Sequence, residues 1–154
     1  MKPSPLQLIR YVVPEVSCSA NAAFAPEKES EGAIGHLSAN AVVARQKDPE
    51  TAAYHAWSVE MTISQKVQDG QSVPYRFSLS LVGFFACKVG FPSAEQEEIF
   101  VRVNGSSILY GAAREIVRSL TAPGPWGEVI LPTLSFYDKP AAPSTETPAA
   151  HTSV

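Results

Sequence analysis

Histidine, cysteine and net charge are all scarce in this chain, and each shortage excludes something. Two cysteines, Cys18 and Cys87, are too few for a disulfide framework or a closed zinc site. Twelve Lys and Arg against 15 Asp and Glu leave a formal charge of −3. That gives no electrostatic footprint for a nucleic-acid backbone, so no nucleic-acid partner is expected. No uninterrupted apolar run approaches the roughly 18 to 20 residues a membrane-spanning helix needs, so no membrane insertion is expected. The three histidines are dispersed. His36 falls in a loop segment, His151 in the C-terminal tail, and His55 on the inward face of a strand with nothing spaced for metal beside it. Cys18 and Cys87 have no neighbouring His or cationic pair and read as inert thiols. Glu27, Glu29 and Glu31 lack the other oxygen ligands of a calcium loop. Gly-rich phosphate loops, the G-x-S-x-G elbow and the H-E-x-x-H motif are missing too. The expectation is a protein that is not an enzyme and holds no cofactor or metal.

What is present is enough for one domain with a real core: 154 residues, 45% hydrophobic, with 7 Phe, 5 Tyr and 2 Trp. The N-terminus loosely imitates a signal peptide, with Lys2, then Leu6 to Val13, then Ala20-Asn21-Ala22. Arg10 interrupts the apolar stretch and Pro14-Glu15 follows it, whereas a secretory core needs about 7 to 15 apolar residues in a row. A cytoplasmic location with free thiols is expected. From Lys139 to Val154 the chain is mostly Pro, Ala, Ser and Thr, without aromatic residues, Leu, Ile or Met, too little to offset ordering entropy. The chain therefore divides into a domain over 1–138 and a disordered tail over 139–154. The run from Glu27 to Gly32 reads as a solvated loop.

The clearest pattern lies between Ala53 and Val67. Trp57, Val59, Met61 and Ile63 share one parity, and Ser58, Glu60, Thr62 and Ser64 the other. Period two over this length predicts a half-buried strand. Asp69-Gly70 supplies a turn, and Tyr75, Phe77, Leu79 and Leu81 alternate with Arg76, Ser78 and Ser80. The two runs predict a long antiparallel hairpin. From Leu81 to Ala86 both parities become apolar, so this stretch requires cover on both faces. Leu6 to Val13 and Leu37 to Arg45 are further strand candidates, giving a sheet of about four strands. Ser93-Ala94-Glu95-Gln96 fits a capping box and a short helical turn. The main helix is predicted from about Ser106 to Thr121, stopped by Pro123-Gly124-Pro125. Leu109, Ala112, Ala113, Ile116 and Leu120 form its apolar stripe, widened by Ile108 and Val117. Strands followed by one strong helix predict an α+β fold.

The stretch from Ser107 to Ile116 resembles the start of the long helix of the SecB family of protein-export chaperones. Ile108-Leu109 and Ala113-Arg114-Glu115 match its motif, with Tyr110 standing for the aromatic residue. Leu8-Ile9-Arg10-Tyr11 with Val16-Ser17, then Gly83-Phe84-Phe85, then Leu131-Pro132-Thr133-Leu134-Ser135-Phe136 fall in the family's order. The resemblance spans roughly Leu6 to Asp138. It implies a four-stranded antiparallel sheet with one long helix, assembled as a dimer of dimers, so a homotetramer with the helices at the interface. It also implies nucleotide-independent holding of unfolded or precursor polypeptides and docking to SecA. Two departures stand out. The family's second helix gives way here to a Pro-rich tail, and of the acidic docking positions only Glu15 and Asp69 remain. Those departures suit a dedicated client such as an antitoxin; a scaffold or adaptor that holds no client is the alternative.

Under this reading, Val82, Phe84, Phe85, Phe91 and Phe100 are the expected polypeptide-binding residues, because aromatics give much contact area for little side-chain entropy. Phe84 and Phe85 equally suit a subunit interface. Ile108, Leu109, Ala112, Ala113, Ile116 and Leu120 are the expected oligomer interface.

Overall fold

The computed structural model describes residues 1–26, 34–47, 53–69 and 71–137. Strands β1 (Leu6–Ala20), β2 (His36–Arg45), β3 (Tyr54–Lys66) and β4 (Tyr75–Lys88) are followed by helix α1 (Ala94–Thr121). The strands form one sheet in the order β1-β4-β3-β2, every neighbouring pair antiparallel. The fold is the expected α+β arrangement. The expected tail, and the loop from Glu27 to Gly32, lie outside the described residues.

Alternation decides which face is which. Trp57, Val59, Met61 and Ile63 on β3 and Phe77, Leu79, Leu81, Phe85 and Cys87 on β4 are all buried, and the register sets Trp57 beside Phe85 and Met61 beside Leu81. That face carries α1. Two glycines let the helix lie close to it. A Cβ on Gly83 would come within 2.7 Å of the Leu109 Cδ2 atom, and one on Gly105 within 3.0 Å of the Val59 Cγ2 atom.

The helix is longer than the sequence predicts. It starts at the capping box, where the Ser93 hydroxyl accepts the Gln96 N–H at 3.2 Å, and runs unbroken to Thr121. Asn104-Gly105, just ahead of the predicted start at Ser106, lies mid-helix. An interior glycine costs a helix about 1 kcal/mol, and here the close approach to Val59 and Phe85 offsets it. The Asn104 amide meanwhile donates back to the Phe100 carbonyl at 2.8 Å.

Strand β1 is also longer than Leu6 to Val13. Its register against β4 slips between Leu8 and Arg10 and again between Val12 and Glu15. These are bulges, and Pro14, which has no N–H to donate, sits in the second. Each slip exchanges the parity of the side chains, which hides the strand from a period-two reading.

Candidate functional site

Successive rows of α1, each spaced by four residues, do different work. Glu97, Val101, Gly105, Leu109, Ala113, Val117 and Thr121 are all buried, and this row seats the helix on the sheet. Its first member is a carboxylate. Glu97 Oε1 accepts the Trp57 indole N–H at 2.8 Å, and both its oxygens lie 2.8 Å from His55 Nδ1. Burial and this carboxylate push the Cys87 thiol up to about 11, which keeps it protonated and unreactive near neutral pH. Burial likewise raises Cys18. His55 is on the inward face as expected, but its partner stands 42 positions away, beyond the reach of local patterning. Glu97→Ala strands the buried Trp57 N–H. It should cost about 1–3 kcal/mol, read as a lower thermal unfolding midpoint in calorimetry, whereas Glu97→Gln, which keeps an acceptor, should lose less.

A second row holds the segment that follows the helix. Arg118 donates to Glu128 at 3.2 Å, Arg114 Nε to the Leu131 carbonyl at 2.9 Å, and the Tyr110 hydroxyl to the Pro132 carbonyl at 2.7 Å. The Phe136 ring meets Tyr110 edge-on at 5.7 Å between centroids. Residues 128–137 thus run back along α1 as an extended strap. No second helix occurs among the described residues.

Towards the start of α1 the strap's end closes an apolar groove of about 250 Å³, lined by Phe91, Ile99, Phe100, Val103 and Tyr137, with Gln96 and Asn104 at its polar margin. Phe91 and Phe100 stack at 5.0 Å, so the structure brings together two of the five residues expected to bind polypeptide. The other three lie elsewhere. Phe85 is only 2% exposed and belongs to the core beneath α1, a correction to its expected place on an open surface. Its parity matches Leu79 and Leu81, which seals it. Val82 and Phe84 are half-buried on the sheet's opposite face, where the Arg10 guanidinium lies 4.6 Å above the Phe84 ring. Ile99, Val103 and Tyr137 are not among the residues the sequence singles out. Extending the helical stripe towards Ala94 reaches the first two, and no local signal marks Tyr137.

The expected interface stripe divides as well. Leu109 and Ala113 are fully buried against the sheet, which corrects their expected place at an interface. Ile108, Ala112, Ile116 and Leu120 form the neighbouring outward row. Ala112, Ile116 and Leu120 line a shallow cavity of about 340 Å³ with Tyr11 of β1. Ile9, Tyr11, Val12, Val13 and Val16 of β1 are exposed nearby in the sequence of that strand.

On the sheet face away from α1, Glu15 pairs with Ser80 and Glu60 with Val82. Arg10 and Arg76 pair with Phe84 and Ser19 on the same face. Lys66, paired with His36, and Lys88, paired with Tyr54, lie on this face too, so two carboxylates share it with four cations. Asp69 lies apart, beyond the end of β3.

No match was found among protein-family profiles or curated proteins. Solved structures do match. One is the SecB-like chaperone Rv1957 of Mycobacterium tuberculosis, solved in complex with a ChAD peptide from the Rv1956 HigA1 antitoxin. It aligns over 84% of this chain and 91% of its own, with a TM-score of 0.51 and 18% identity. The other is a protein of unknown function from Streptococcus agalactiae, aligned over 83% of this chain and 97% of its own, with a TM-score of 0.58 and 13% identity. At such identities the likeness is one of fold, and the fold is SecB-like.

Proposed function

We propose that the protein is a nucleotide-independent holdase, a non-enzymatic chaperone that keeps non-native polypeptides in apolar surface grooves. The observation that carries this reading is the groove of Phe91, Ile99, Phe100, Val103 and Tyr137 on a SecB-like fold. A holding protein without a fuel has only burial to work with, at about 25 cal/mol per Å² of apolar surface removed from water. Aromatic walls supply that area without demanding one client shape.

In this reading the chain works as a homotetramer in the cytoplasm, a dimer of dimers joined through the outward row of α1 and the apolar residues of β1. The client is an unfolded polypeptide. A dedicated client such as an antitoxin draws support from the neighbour solved with an antitoxin peptide. Protein export through SecA draws less support. The face carrying Glu15 and Glu60 also carries Arg10, Arg76, Lys66 and Lys88, and docking by acidic complementarity weakens when cations outnumber the carboxylates.

The test is aggregation of a chemically denatured protein diluted into buffer without nucleotide, followed by light scattering. Stoichiometric amounts of this protein should suppress it. Ile99→Asp puts a charge on a half-exposed groove wall and should weaken peptide binding about tenfold or more, with thermal stability preserved. Undiminished aggregation in the presence of the wild-type protein would refute the holding role and favour a scaffold.

A further inference from the structure

A basic row crosses the sheet face turned away from α1. Arg76 pairs with Ser19 and Lys66 with His36. The β3–β4 ladder sets Ser64 opposite Ser78, so Lys66 and Arg76, one step further along the same face, stand opposite each other. Arg76, Lys66 and His36 are all exposed. Among the described residues, neither Arg76 nor Lys66 has an ion-pair partner, whereas Arg102 and Arg118 pair with glutamates. Asp69, in the turn beyond Lys66, forms no ion pair with either. Like charges directly opposite on neighbouring strands destabilise a sheet, and an anion supplied from outside relieves that repulsion.

The neighbouring row, Ser17, Ser78, Ser64 and Ser38, consists of hydroxyls, which can donate to an oxyanion. Further along β4 the face turns apolar. Val82 and Phe84 are half-buried, and Val12 and Val42 on the same face are 40% and 64% exposed. Glu60 stands between Val82 and Val42, and Glu15 lies on β1 opposite Ser80.

We infer that this face docks an acidic segment of a partner protein, with carboxylates on Arg76 and Lys66 and an aliphatic side chain on the valines. The inference is separate from the holding role, because the proposed client groove lies on the α1 side of the sheet. Charge sets the sign of the partner. Cations outnumber carboxylates on this face although the whole chain carries −3, so the attraction for anions is local. The two carboxylates decide against a nucleic acid, whose evenly spaced phosphates would run past Glu15 and Glu60. A polypeptide can present carboxylates at one end and apolar side chains at the other. Along β4, Arg76 and Val82 are about 20 Å apart at roughly 3.3 Å per residue, a span that about six extended residues cover.

Fluorescein-labelled peptides test this with the full-length protein. Each carries an acidic triplet, a Gly/Ser spacer of about five residues and a Val-Leu pair, and binding is read by anisotropy. At low salt the acidic peptide should bind at least about tenfold tighter than its Gln/Asn counterpart, and that margin should shrink as ionic strength rises. Replacing its Val-Leu pair by Ser-Ser should weaken it about threefold or more. The double variant Lys66→Gln/Arg76→Gln should reduce the acidic preference to within about twofold. Both side chains are exposed and the change removes opposed like charges, so its thermal midpoint should equal or exceed the wild type's. Ile99→Asp, in the groove, should leave this binding unchanged. Equal binding of acidic and amide peptides, no loss without the aliphatic pair, a preference that survives the double variant, or a loss on Ile99→Asp would overturn the docking face while leaving the holding role intact. Tighter binding of a single-stranded oligonucleotide than of the acidic peptide would overturn it in favour of a nucleic-acid partner.

Discussion

Phe85→Asp should yield no folded protein, whereas Phe84→Asp should fold. The two rings are neighbours in sequence and stand on opposite faces of β4. Phe85 contacts the core from beneath α1 at 2% exposure, and it is among the atoms closest to where a Cβ would sit on both Gly83 and Gly105. Truncating such a ring to alanine alone costs about 3–5 kcal/mol, against a total stability of about 5–15 kcal/mol for a domain. An unpaired carboxylate in the same place adds several kcal/mol more. Phe84 is half-buried, with the Arg10 guanidinium over its ring. Its replacement by Asp loses one cation–π contact, about 0.5–1 kcal/mol at an accessible site, and places a carboxylate beside Arg10. Far-UV circular dichroism and urea titration would separate the two outcomes. A cooperative native-like transition for Phe85→Asp would contradict the packing described here.

That contrast also marks what the sequence makes legible. The hairpin of β3 and β4 follows from strict alternation, because each residue on one parity is apolar and each on the other tolerates water. The same alternation, carried one step further, places Phe85 with Leu79 and Leu81. It is the apolar composition of Leu81 to Ala86 on both parities that disguises the answer. Strand β1 is disguised by its bulges, since a register slip turns an alternating pattern into an unpatterned one, and Pro14 looks like an end rather than a kink. The first half of α1 is disguised by Asn104-Gly105, whose helix penalty is local while the compensation, contact with Val59 and Phe85, comes from distant strands. The strap has no periodicity at all. Its position depends on donors spaced along a helix, Tyr110, Arg114 and Arg118, that reach backbone carbonyls and one carboxylate. The groove is therefore half legible: Phe91 and Phe100 are conspicuous as aromatic residues, while Tyr137 reaches them only because the strap runs antiparallel to the helix.

Ile116→Asp should split the proposed oligomer while sparing the fold. The residues that fasten α1 to the sheet are Leu109, Ala113 and Val117, all buried. Ile116 belongs to the outward row and lines the shallow cavity with Tyr11 and Leu120. A charge there has open solvent in the separated subunit and none in an apolar interface. Association should weaken by at least about a hundredfold, roughly 3 kcal/mol, visible as a smaller particle by light scattering at micromolar concentration. A particle of wild-type mass would place the self-association surface elsewhere than on this row. Phe100 and Ile116 lie on the same row of α1, roughly 24 Å apart at about 1.5 Å per residue. Client groove and subunit contact thus occupy opposite ends of one helix and do not compete for surface. It follows that the separated Ile116→Asp subunits should still bind a short Phe-bearing peptide with wild-type affinity, measured by anisotropy. Only long clients that engage several grooves at once should dissociate faster, because linked binding events lose their high effective concentration when the subunits part.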